Sequence, residues 1–220
     1  MSVQKYTAEF EKLSAEELAR FQKIPAAVMS DVLARGQTMQ GGINPLGANM
    51  QICAQARTAE CPVGDNSAIR AAIAHVEPGQ VIVANAQGYE STAVFGGLMA
   101  LYAQEKQVAG FVIDGAVRDS SEIIEAGLAM FCRGTCPRGP RKYPSGVIDG
   151  VVSVGGVSVA PGDIIIADCD GVTVVPLKLS RDALKAAEKV LQSEEAMLEK
   201  IKQGASLAEI YGQVEIQEVD

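Results

Sequence analysis

The stretch at residues 95–122 places the strongest constraint on how this chain folds. Gly96-Gly97 stands at the head of a segment that is predicted to be helical up to about Lys106. The apolar run at 111–114 is typical of a buried strand, and 119–126 is predicted to be the next helix. Helices that alternate with buried strands imply right-handed crossovers and a partly parallel sheet, so the predicted fold class is α/β.

Turn residues divide the rest of the chain into further helices and strands. Ser14 and Glu17 fit a capping box that opens a short helix, and Ser180 begins a long amphipathic helix that runs to Lys202. Gly-Gly and Asp-Gly pairs between the short strands of the second half predict β-hairpins there. The other predicted helices are 26–35 and 68–75, and the other predicted strands are 51–61, 80–85, 147–154, 157–160, 163–168 and 172–175.

The composition favours one soluble domain spanning residues 1–220. With 220 residues, 48% of them hydrophobic, the chain can bury a full core. A net charge of -8 argues against nucleic acid as a partner, because that binding depends on lysine and arginine neutralising phosphates. The N-terminus lacks the apolar segment of a signal peptide, and no apolar run approaches the roughly 18 residues of a membrane span. Five cysteines without CxxC spacing indicate free thiols, so we expect a cytoplasmic protein with no membrane partner.

Two motifs in the central stretch are candidates for an anion and metal site. Backbone N–H groups at Gly96-Gly97 can bind a carboxylate or phosphate at a helix start, or the glycines simply let a helix pack closely on a strand. Arg118 offers a forked cation and Asp119 a hard oxygen for a divalent metal, or the two form a salt bridge. Both follow a buried strand, and sites of α/β proteins gather at the carboxyl ends of strands. Glu122, one helical turn beyond, either faces the same pocket or pairs with Arg118.

A basic loop at residues 134–146 holds three prolines and three glycines and is too long for a plain connection. Its cations either clamp a second carboxylate of a substrate or are simply solvated. His75, the only histidine, stands near a helix end and is better explained as structural, and its solitude excludes a zinc site built on several histidines. Asp168 and Asp170 are either a carboxylate pair or, as Asp170-Gly171 favours, part of a turn.

Several motifs, in their order and spacing, resemble the class II pyruvate aldolases that are related to the regulator of ribonuclease activity A. The central signature is Gly97, then twenty residues, then Arg118-Asp119-x-x-Glu122. The likeness spans about residues 25–178, and the long C-terminal helix, which the shorter regulator-type members lack, favours the 4-hydroxy-4-methyl-2-oxoglutarate aldolase branch. The other matching segments are 61–66 (CPVGDN), 96–100 (GGLMA), 114–119 (DGAVRD), 155–163 (GGVxVxPGD) and 170–176 (DGVxVVP).

This resemblance implies a fold, an assembly and an activity. The fold is a compact α/β/β sandwich of the swivelling-domain type, with its core at 25–178 and a C-terminal helical extension at 180–220. The assembly is a homotrimer or homohexamer with the active site between subunits. The activity is the Mg²⁺- or Mn²⁺-dependent cleavage of 4-hydroxy-4-methyl-2-oxoglutarate, or a related 4-hydroxy-2-oxo acid of aromatic catabolism, to pyruvate. It passes through a metal-stabilised pyruvate enolate, and oxaloacetate decarboxylation is a companion reaction.

The resemblance also implies roles for the central residues. Arg118 contacts the keto oxygen, Asp119 ligates the metal, and Glu122 is counted with the catalytic residues. One lone acidic ligand suits a hard cation that keeps several waters. The pyruvyl carboxylate is expected on the backbone amides of a glycine turn formed by Gly96, Gly97, Leu98 and Met99.

Residues outside the central stretch complete the expected site. Asn66 and Lys142 are candidates for the far carboxylate of the substrate, and Glu194 or Glu195 of the long helix is a candidate for entering a neighbour's site. Schiff-base chemistry is disfavoured because no lysine lies in the central motif, although Lys142 keeps it open. The alternative function is a non-catalytic regulator that binds a ribonuclease or a helicase, as the shorter relatives do.

Overall fold

The computed structural model describes residues 2–219, in which strands and helices alternate along most of the chain. The strands are β1 (Gln4–Lys5), β2 (Asn44–Pro45), β3 (Ile52–Glu60), β4 (Val81–Phe95), β5 (Gly110–Val117), β6 (Met130–Thr135), β7 (Val147–Ile148), β8 (Val152–Val154), β9 (Val157–Val159), β10 (Ile164–Asp168) and β11 (Gly171–Val175). The α-helices are α1 (Ala15–Phe21), α2 (Ala26–Val32), α3 (Ser67–His75), α4 (Gly97–Glu105), α5 (Ser120–Glu125), α6 (Ser180–Lys202) and α7 (Leu207–Tyr211), and a 3-10 turn (Leu177–Leu179) precedes α6.

The sheet is mixed, as the sequence predicts. β3, β4, β5 and β6 are parallel neighbours in that order, with helices in the connections. The second half of β3 pairs with β4, whereas its first half pairs antiparallel with β10, which in turn pairs with β11. β3 therefore joins the parallel strands to the antiparallel ones. β8 and β9 form a separate hairpin, so both predicted hairpins of the second half are confirmed.

Three hydrophobic clusters hold the layers together. The first packs α3, α4 and α5 against one face of the parallel strands, around Ile69, Phe95 and Ile123. The second lies on the opposite face, between those strands and the β8–β9 and β10–β11 hairpins. The third covers β10 and β11 with α1, α2 and the first half of α6. Burial of these apolar side chains is the main stabilising term of the fold.

Local signals for the helix ends are largely confirmed. Ser14 caps α1 and forms the predicted capping box with Glu17. The hydrogen bonds of Glu17 with Ser14, supported by Arg181, lower the pKa of that carboxyl to about 2. The Asp168 carboxylate accepts hydrogen bonds from the amides of Ala26, 2.8 Å away, and Asp170, 3.0 Å away. Its oxygens are thus used to start α2 and to close the β10–β11 turn, which confirms the turn interpretation.

Some predicted boundaries are wrong because of single residues with positive φ. The helix predicted at 26–35 ends at Val32, since Ala34 (φ 53°) and Arg35 (φ 63°) adopt the left-handed conformation. The strand predicted at 147–154 is two short strands, because Asp149 (φ 64°) turns the chain between them.

Other strands are longer than predicted or were missed. The strand predicted at 80–85 continues to Phe95, with irregular pairing that starts where Gln87 and Gly88 both have positive φ. The strand predicted at 111–114 spans the whole of β5. β6 was not predicted, because its MFCRGT segment carries an arginine and a glycine that interrupt the apolar pattern.

The long C-terminal helix is confirmed, but only its first half is covered. Ala183, Leu184 and Ala187 are buried, whereas Leu198 and Ile201 of the same apolar stripe are exposed. The outer half therefore presents an apolar face to its surroundings. Across residues 2–219, no helix combines the length and the apolar character that crossing a membrane requires.

Candidate active site

Two strand ends meet side by side and bring the two sequence motifs together. In the pairing of β4 with β5, Phe95 lies opposite Val117, so Gly96 and Arg118 leave the sheet at the same level. The Arg118 amide donates to the Phe95 carbonyl oxygen at 3.0 Å. The ends of β4 and β5 thus fix the glycine turn and the Arg-Asp pair at one carboxyl edge of the parallel strands. The sequence predicts this position for the Arg-Asp pair, but not that β4 reaches the glycine turn.

Asp119 connects the two motifs. Its Oδ2 accepts a hydrogen bond from the Gly97 amide at 3.0 Å and lies 3.5 Å from Arg118 Nε. Its backbone is left-handed (φ 56°, ψ 41°), a conformation that aspartate tolerates better than most residues. The side chains of Arg118 and Asp119 are 43% and 38% exposed, so they lie at an open mouth and are accessible to a ligand.

The two glycines allow these side chains to come close. A Cβ atom built on Gly96 would lie 2.7 Å from Asp119 Oδ2 and 3.0 Å from Arg118 Cγ. A Cβ atom on Gly97 would overlap Glu122 Oε2, so that carboxylate lies directly against the turn. The small size of both glycines thus allows this close packing, as the packing interpretation predicts. The side chains that pack against them are those of the candidate site, Arg118, Asp119 and Glu122. Glu122 faces the same pocket.

The glycine turn offers fewer free amides than the four expected residues would suggest. The Gly97 amide donates to Asp119, and the Met99 amide donates to the Gly96 carbonyl at 2.9 Å. Within residues 2–219, the amides of Gly96 and Leu98 at the start of α4 donate to no acceptor, so these two amides are available to a ligand. An anion on this turn therefore has two ready backbone donors, with Arg118 beside them.

Asn66 and the basic loop border the same mouth. The buried Asn66 side chain donates to the Met99 sulfur at 3.3 Å, at the first turn of α4. A Cβ atom on Gly139 of the basic loop would lie 2.9 Å from Arg118 Nη1, so the loop passes directly over the guanidinium. Lys142 of this loop is exposed, and among the described residues it forms no ion pair.

Two residues of the sequence prediction lie away from this mouth within one chain. Glu194 and Glu195 are exposed on the outer half of α6, whose inner half packs on α1, α2, β10 and β11. They do not contact the glycine turn of their own chain. Their proposed contribution to a neighbour's site stays a prediction.

His75 and the cysteines have structural explanations. His75 is the last residue of α3, and its exposed ring contacts the Ala71 carbonyl oxygen at 2.9 Å. All five cysteines are free thiols, as the sequence predicts. Burial raises the pKa of Cys53 and Cys61 to about 12 and that of Cys132 to about 11, so these three are not nucleophiles near neutral pH.

Sequence reasoning did not identify one buried acid beside the site. Asp65 is 3% exposed, and its carboxylate accepts from the amides of Ser67 at 2.7 Å and Tyr143 at 2.9 Å. The Ser67 bond is a local one at the start of α3, of the kind that acidic residues often make before a helix. The bond to Tyr143 depends on tertiary structure and has no signal in the sequence.

The fold is that of an α/β protein whose glycine turn, Arg118 and Asp119 lie together at the carboxyl edge of its parallel strands. A family model described as RraA-like (Aldolase/RraA) matches residues 26–174, and the chain belongs to this family. The match includes the Gly96-Gly97 turn and the Arg118-Asp119 pair. It ends before α6, so the long C-terminal helix lies outside the matched region.

Individual relatives agree with this membership. A protein of Halalkalibacterium halodurans, provisionally named 4-hydroxy-4-methyl-2-oxoglutarate aldolase, is 37% identical over 81% of this chain and 85% of its own length. The 4-hydroxy-4-methyl-2-oxoglutarate aldolase of Thermus thermophilus is 31% identical over 67% of this chain and 90% of its own. The crystal structure of Streptomyces coelicolor RraAS2, described as an unusual member of the RNase ES inhibitor RraA family, has a TM-score of 0.78 and 27% identity. It covers 90% of this chain and 100% of its own.

Proposed function

We propose that this protein is a divalent-metal-dependent lyase that cleaves 4-hydroxy-4-methyl-2-oxoglutarate, or a related 4-hydroxy-2-oxo acid, to pyruvate. The same site is proposed to decarboxylate oxaloacetate. The observation that carries the proposal is the Asp119 carboxylate, which the Gly97 amide holds beside the Arg118 guanidinium at an open mouth. The names of the aldolase relatives support the reaction class.

Both reactions present the same electrostatic problem. In the aldol cleavage, the C4 hydroxyl loses its proton, the C3–C4 bond breaks, and its electron pair moves onto the C2 keto oxygen as an enolate. In the decarboxylation of oxaloacetate, the C3–C4 bond breaks with loss of CO₂, and the same pyruvate enolate forms. Protonation at C3 then gives pyruvate. A site that stabilises negative charge at one oxygen therefore accelerates both reactions.

Arg118 is proposed to stabilise that charge. Its guanidinium lies at the mouth between Asp119 and Gly139 and presents several N–H donors in one plane. The pyruvyl carboxylate is proposed to bind the glycine turn, where the Leu98 amide points from the N-terminus of α4. This arrangement orients the keto oxygen toward Arg118 and leaves C3 exposed.

The donor set at the mouth fits a hard divalent cation. Asp119 offers a carboxylate oxygen, and its exposure leaves room for the water ligands that Mg²⁺ and Mn²⁺ retain. Asp119 is proposed to hold the ion. When bound, Mg²⁺ or Mn²⁺ supplies Lewis-acid stabilisation of the charge that develops on the substrate. The Glu122 carboxylate lies against Gly97 and is proposed to accept the hydroxyl proton through a water molecule.

The far end of the substrate is proposed to bind outside the glycine turn. Asn66 lies next to Met99, and Lys142 lies on the loop that passes over Arg118. An amide and an ammonium group suit a second carboxylate, because both donate hydrogen bonds and one carries positive charge. We assign these two residues to the carboxylate of the departing fragment.

The open mouth leads us to propose that copies of this chain complete it as a homotrimer or homohexamer. On α4, next to the glycine turn, Leu98 and Tyr102 are 83% and 64% exposed, and the outer half of α6 is also apolar. Exposed apolar faces of this kind mark interaction surfaces. Glu194 and Glu195 lie on that outer half, where they are proposed to reach a neighbour's site. Light scattering should give three or six times the 23.1 kDa of one chain, and a monomer mass would contradict this assembly.

Release of pyruvate by the purified protein tests the proposed function. With Mg²⁺ present, we expect pyruvate from 4-hydroxy-4-methyl-2-oxoglutarate and from oxaloacetate in a coupled assay. EDTA should remove the activity, and added Mg²⁺ or Mn²⁺ should restore it. Turnover that EDTA leaves unchanged would rule out the metal-dependent mechanism. A panel of 2-oxo and 4-hydroxy-2-oxo acids in the same assay identifies the preferred substrate.

A non-catalytic regulator is the second candidate function. The structural likeness to a member of the RNase ES inhibitor RraA family is the observation that favours it. The partner would be a ribonuclease or a helicase. Wild-type protein that binds such a partner and releases no pyruvate would support this candidate over the lyase.

A further inference from the structure

Residues 136–143 of the basic loop (134–146) are fixed by hydrogen bonds to three different parts of the chain, and the last residue of the loop, Gly146, accepts from the Gln4 amide of β1 at 2.9 Å. The three anchors lie on the end of β5, on β4 and on the turn before α3. The hydrogen bonds are Cys136 N to Val117 O at 2.9 Å, Ala93 N to Arg138 O at 2.8 Å, Arg141 N to Gly64 O at 2.7 Å and Tyr143 N to Asp65 Oδ2 at 2.9 Å. The first three involve only backbone atoms. The fourth depends on one side chain.

Asp65 is that side chain, and it is buried. Its Oδ1 accepts from the Ser67 amide at the head of α3, and its Oδ2 accepts from the Tyr143 amide, 78 residues away in sequence. With two charge-assisted hydrogen bonds, the carboxylate fastens the end of the basic loop to the segment that also carries Asn66. Asp65 therefore fixes the relative position of two borders of the mouth.

The fastened loop carries cations with no partner of their own. Arg138, Arg141 and Lys142 are exposed, and within residues 2–219 none of them forms an ion pair. The loop runs over Arg118, whose Nη1 would lie 2.9 Å from a Cβ atom on Gly139. Three free cations held next to a carboxylate-binding mouth are suited to a substrate with a second negative charge.

We propose that Asp65 is a positioning residue that holds the basic loop closed over Arg118, and that this closure selects substrates with a second carboxylate. The selectivity rests on the proposed function. Asp65 itself touches no substrate in this account. It acts by keeping the cations of the loop within reach of the carboxylate on the departing fragment, so its loss should weaken binding of dicarboxylates more than it slows the chemistry.

Asp65→Asn is the test variant, because it keeps the shape of the side chain and removes its charge. Asp163→Asn is the matched control. Asp163 is 8% exposed, and its carboxylate also accepts hydrogen bonds from two backbone amides, those of Ala160 at 2.8 Å and Leu177 at 2.9 Å. Neither donor belongs to the basic loop. The control therefore reports how neutralising a buried carboxylate that accepts two hydrogen bonds changes the protein when that carboxylate lies away from the basic loop.

Two readouts separate positioning from a merely structural role. For 4-hydroxy-4-methyl-2-oxoglutarate, Asp65→Asn should raise KM about tenfold with kcat changed less than about threefold, the size expected for one lost charge-assisted hydrogen bond. For 4-hydroxy-2-oxopentanoate, which lacks the second carboxylate, KM should stay within about twofold of the wild-type value.

Trypsin should also cut after Arg138, Arg141 or Lys142 about tenfold faster in Asp65→Asn, because cleavage requires the loop to leave its anchors. Asp163→Asn should match the wild type in both readouts.

Tyr143→Pro provides a second route if Asp65→Asn does not fold. It removes the N–H group that donates to Asp65 while leaving the buried carboxylate in place, and the Tyr143 side chain is exposed. It should give the same change in KM and the same faster cleavage after Arg138 and Arg141, whereas Lys142, which is then followed by proline, is no longer a trypsin site. Equal KM changes for both substrates, or loop cleavage no faster than in Asp163→Asn, would overturn the proposal. A wild-type protein without lyase activity would refute the proposed function instead, and the trypsin rates alone would still decide whether Asp65 holds the loop.

Discussion

Asp119→Asn should abolish metal-dependent pyruvate release. We expect kcat/KM for oxaloacetate to fall at least about 1,000-fold, the scale reached when a main charge-stabilising group is lost from an active site. The amide side chain keeps the size of aspartate and can still accept from the Gly97 amide, which lies 3.0 Å from Asp119 Oδ2. What it loses is the negative charge that binds a hard cation. Residual turnover should no longer respond to Mg²⁺.

Asparagine is the informative substitution at this position because of the backbone. Asp119 is left-handed (φ 56°), and asparagine tolerates that conformation, whereas alanine would add strain to the loss of the ligand. Glu125→Gln, at the exposed end of α5, is the matched control for removing one carboxylate from the same helix. The control should keep wild-type kinetics. If Asp119→Asn also kept them, Asp119 would not be the metal ligand.

Arg118→Lys should lower kcat/KM about 100-fold or more, although the charge is conserved. The guanidinium lies 3.5 Å from Asp119 Oδ2 through Nε and lies against Gly139 through Nη1, so its plane spans the mouth. A lysine ammonium is a point charge that cannot contact Asp119, Gly139 and the keto oxygen at the same time. We expect the loss mainly in kcat, because the interaction is strongest when negative charge develops on that oxygen.

Arg35→Lys controls for the substitution itself. Arg35 is an exposed arginine, paired with Asp31, just beyond the end of α2, a helix that packs on α6, β10 and β11. The Arg35→Lys substitution should have no effect on pyruvate release. Wild-type kcat/KM in Arg118→Lys would show that a simple positive charge is sufficient, and the assignment of Arg118 to the keto oxygen would then be wrong.

Much of the site was predictable because it depends on strand ends. The apolar run predicted at 111–114 indicates a buried strand just before Arg118 and Asp119, and in the structure this strand, β5, continues to Val117. The glycine pair likewise marks the change from β4 to α4. Local pattern therefore predicts which residues come to the carboxyl edge, since parallel strands end at the same side of a sheet.

The missed features depend on contacts between distant segments. The irregular part of β4 is polar and contains Gly88, so no local pattern favours a strand, and pairing with β5 decides it. The bond from Tyr143 to Asp65 spans 78 residues, and neither residue stands in a motif that predicts the other. The hydrogen bond from the Gly97 amide to the Asp119 carboxylate was equally hidden from the sequence. Tertiary packing decides such details, and sequence periodicity does not report them.

A crystal structure of the protein with Mg²⁺ and oxalate would test the central claim most directly. Oxalate resembles the planar pyruvate enolate in its carboxylate and neighbouring oxygen. The account predicts that the cation lies on a carboxylate oxygen of Asp119 and that oxalate contacts Arg118 and the glycine turn at 96–99. A structure in which both ligands bind elsewhere, while Arg118 and Asp119 point into solvent, would contradict the proposed site.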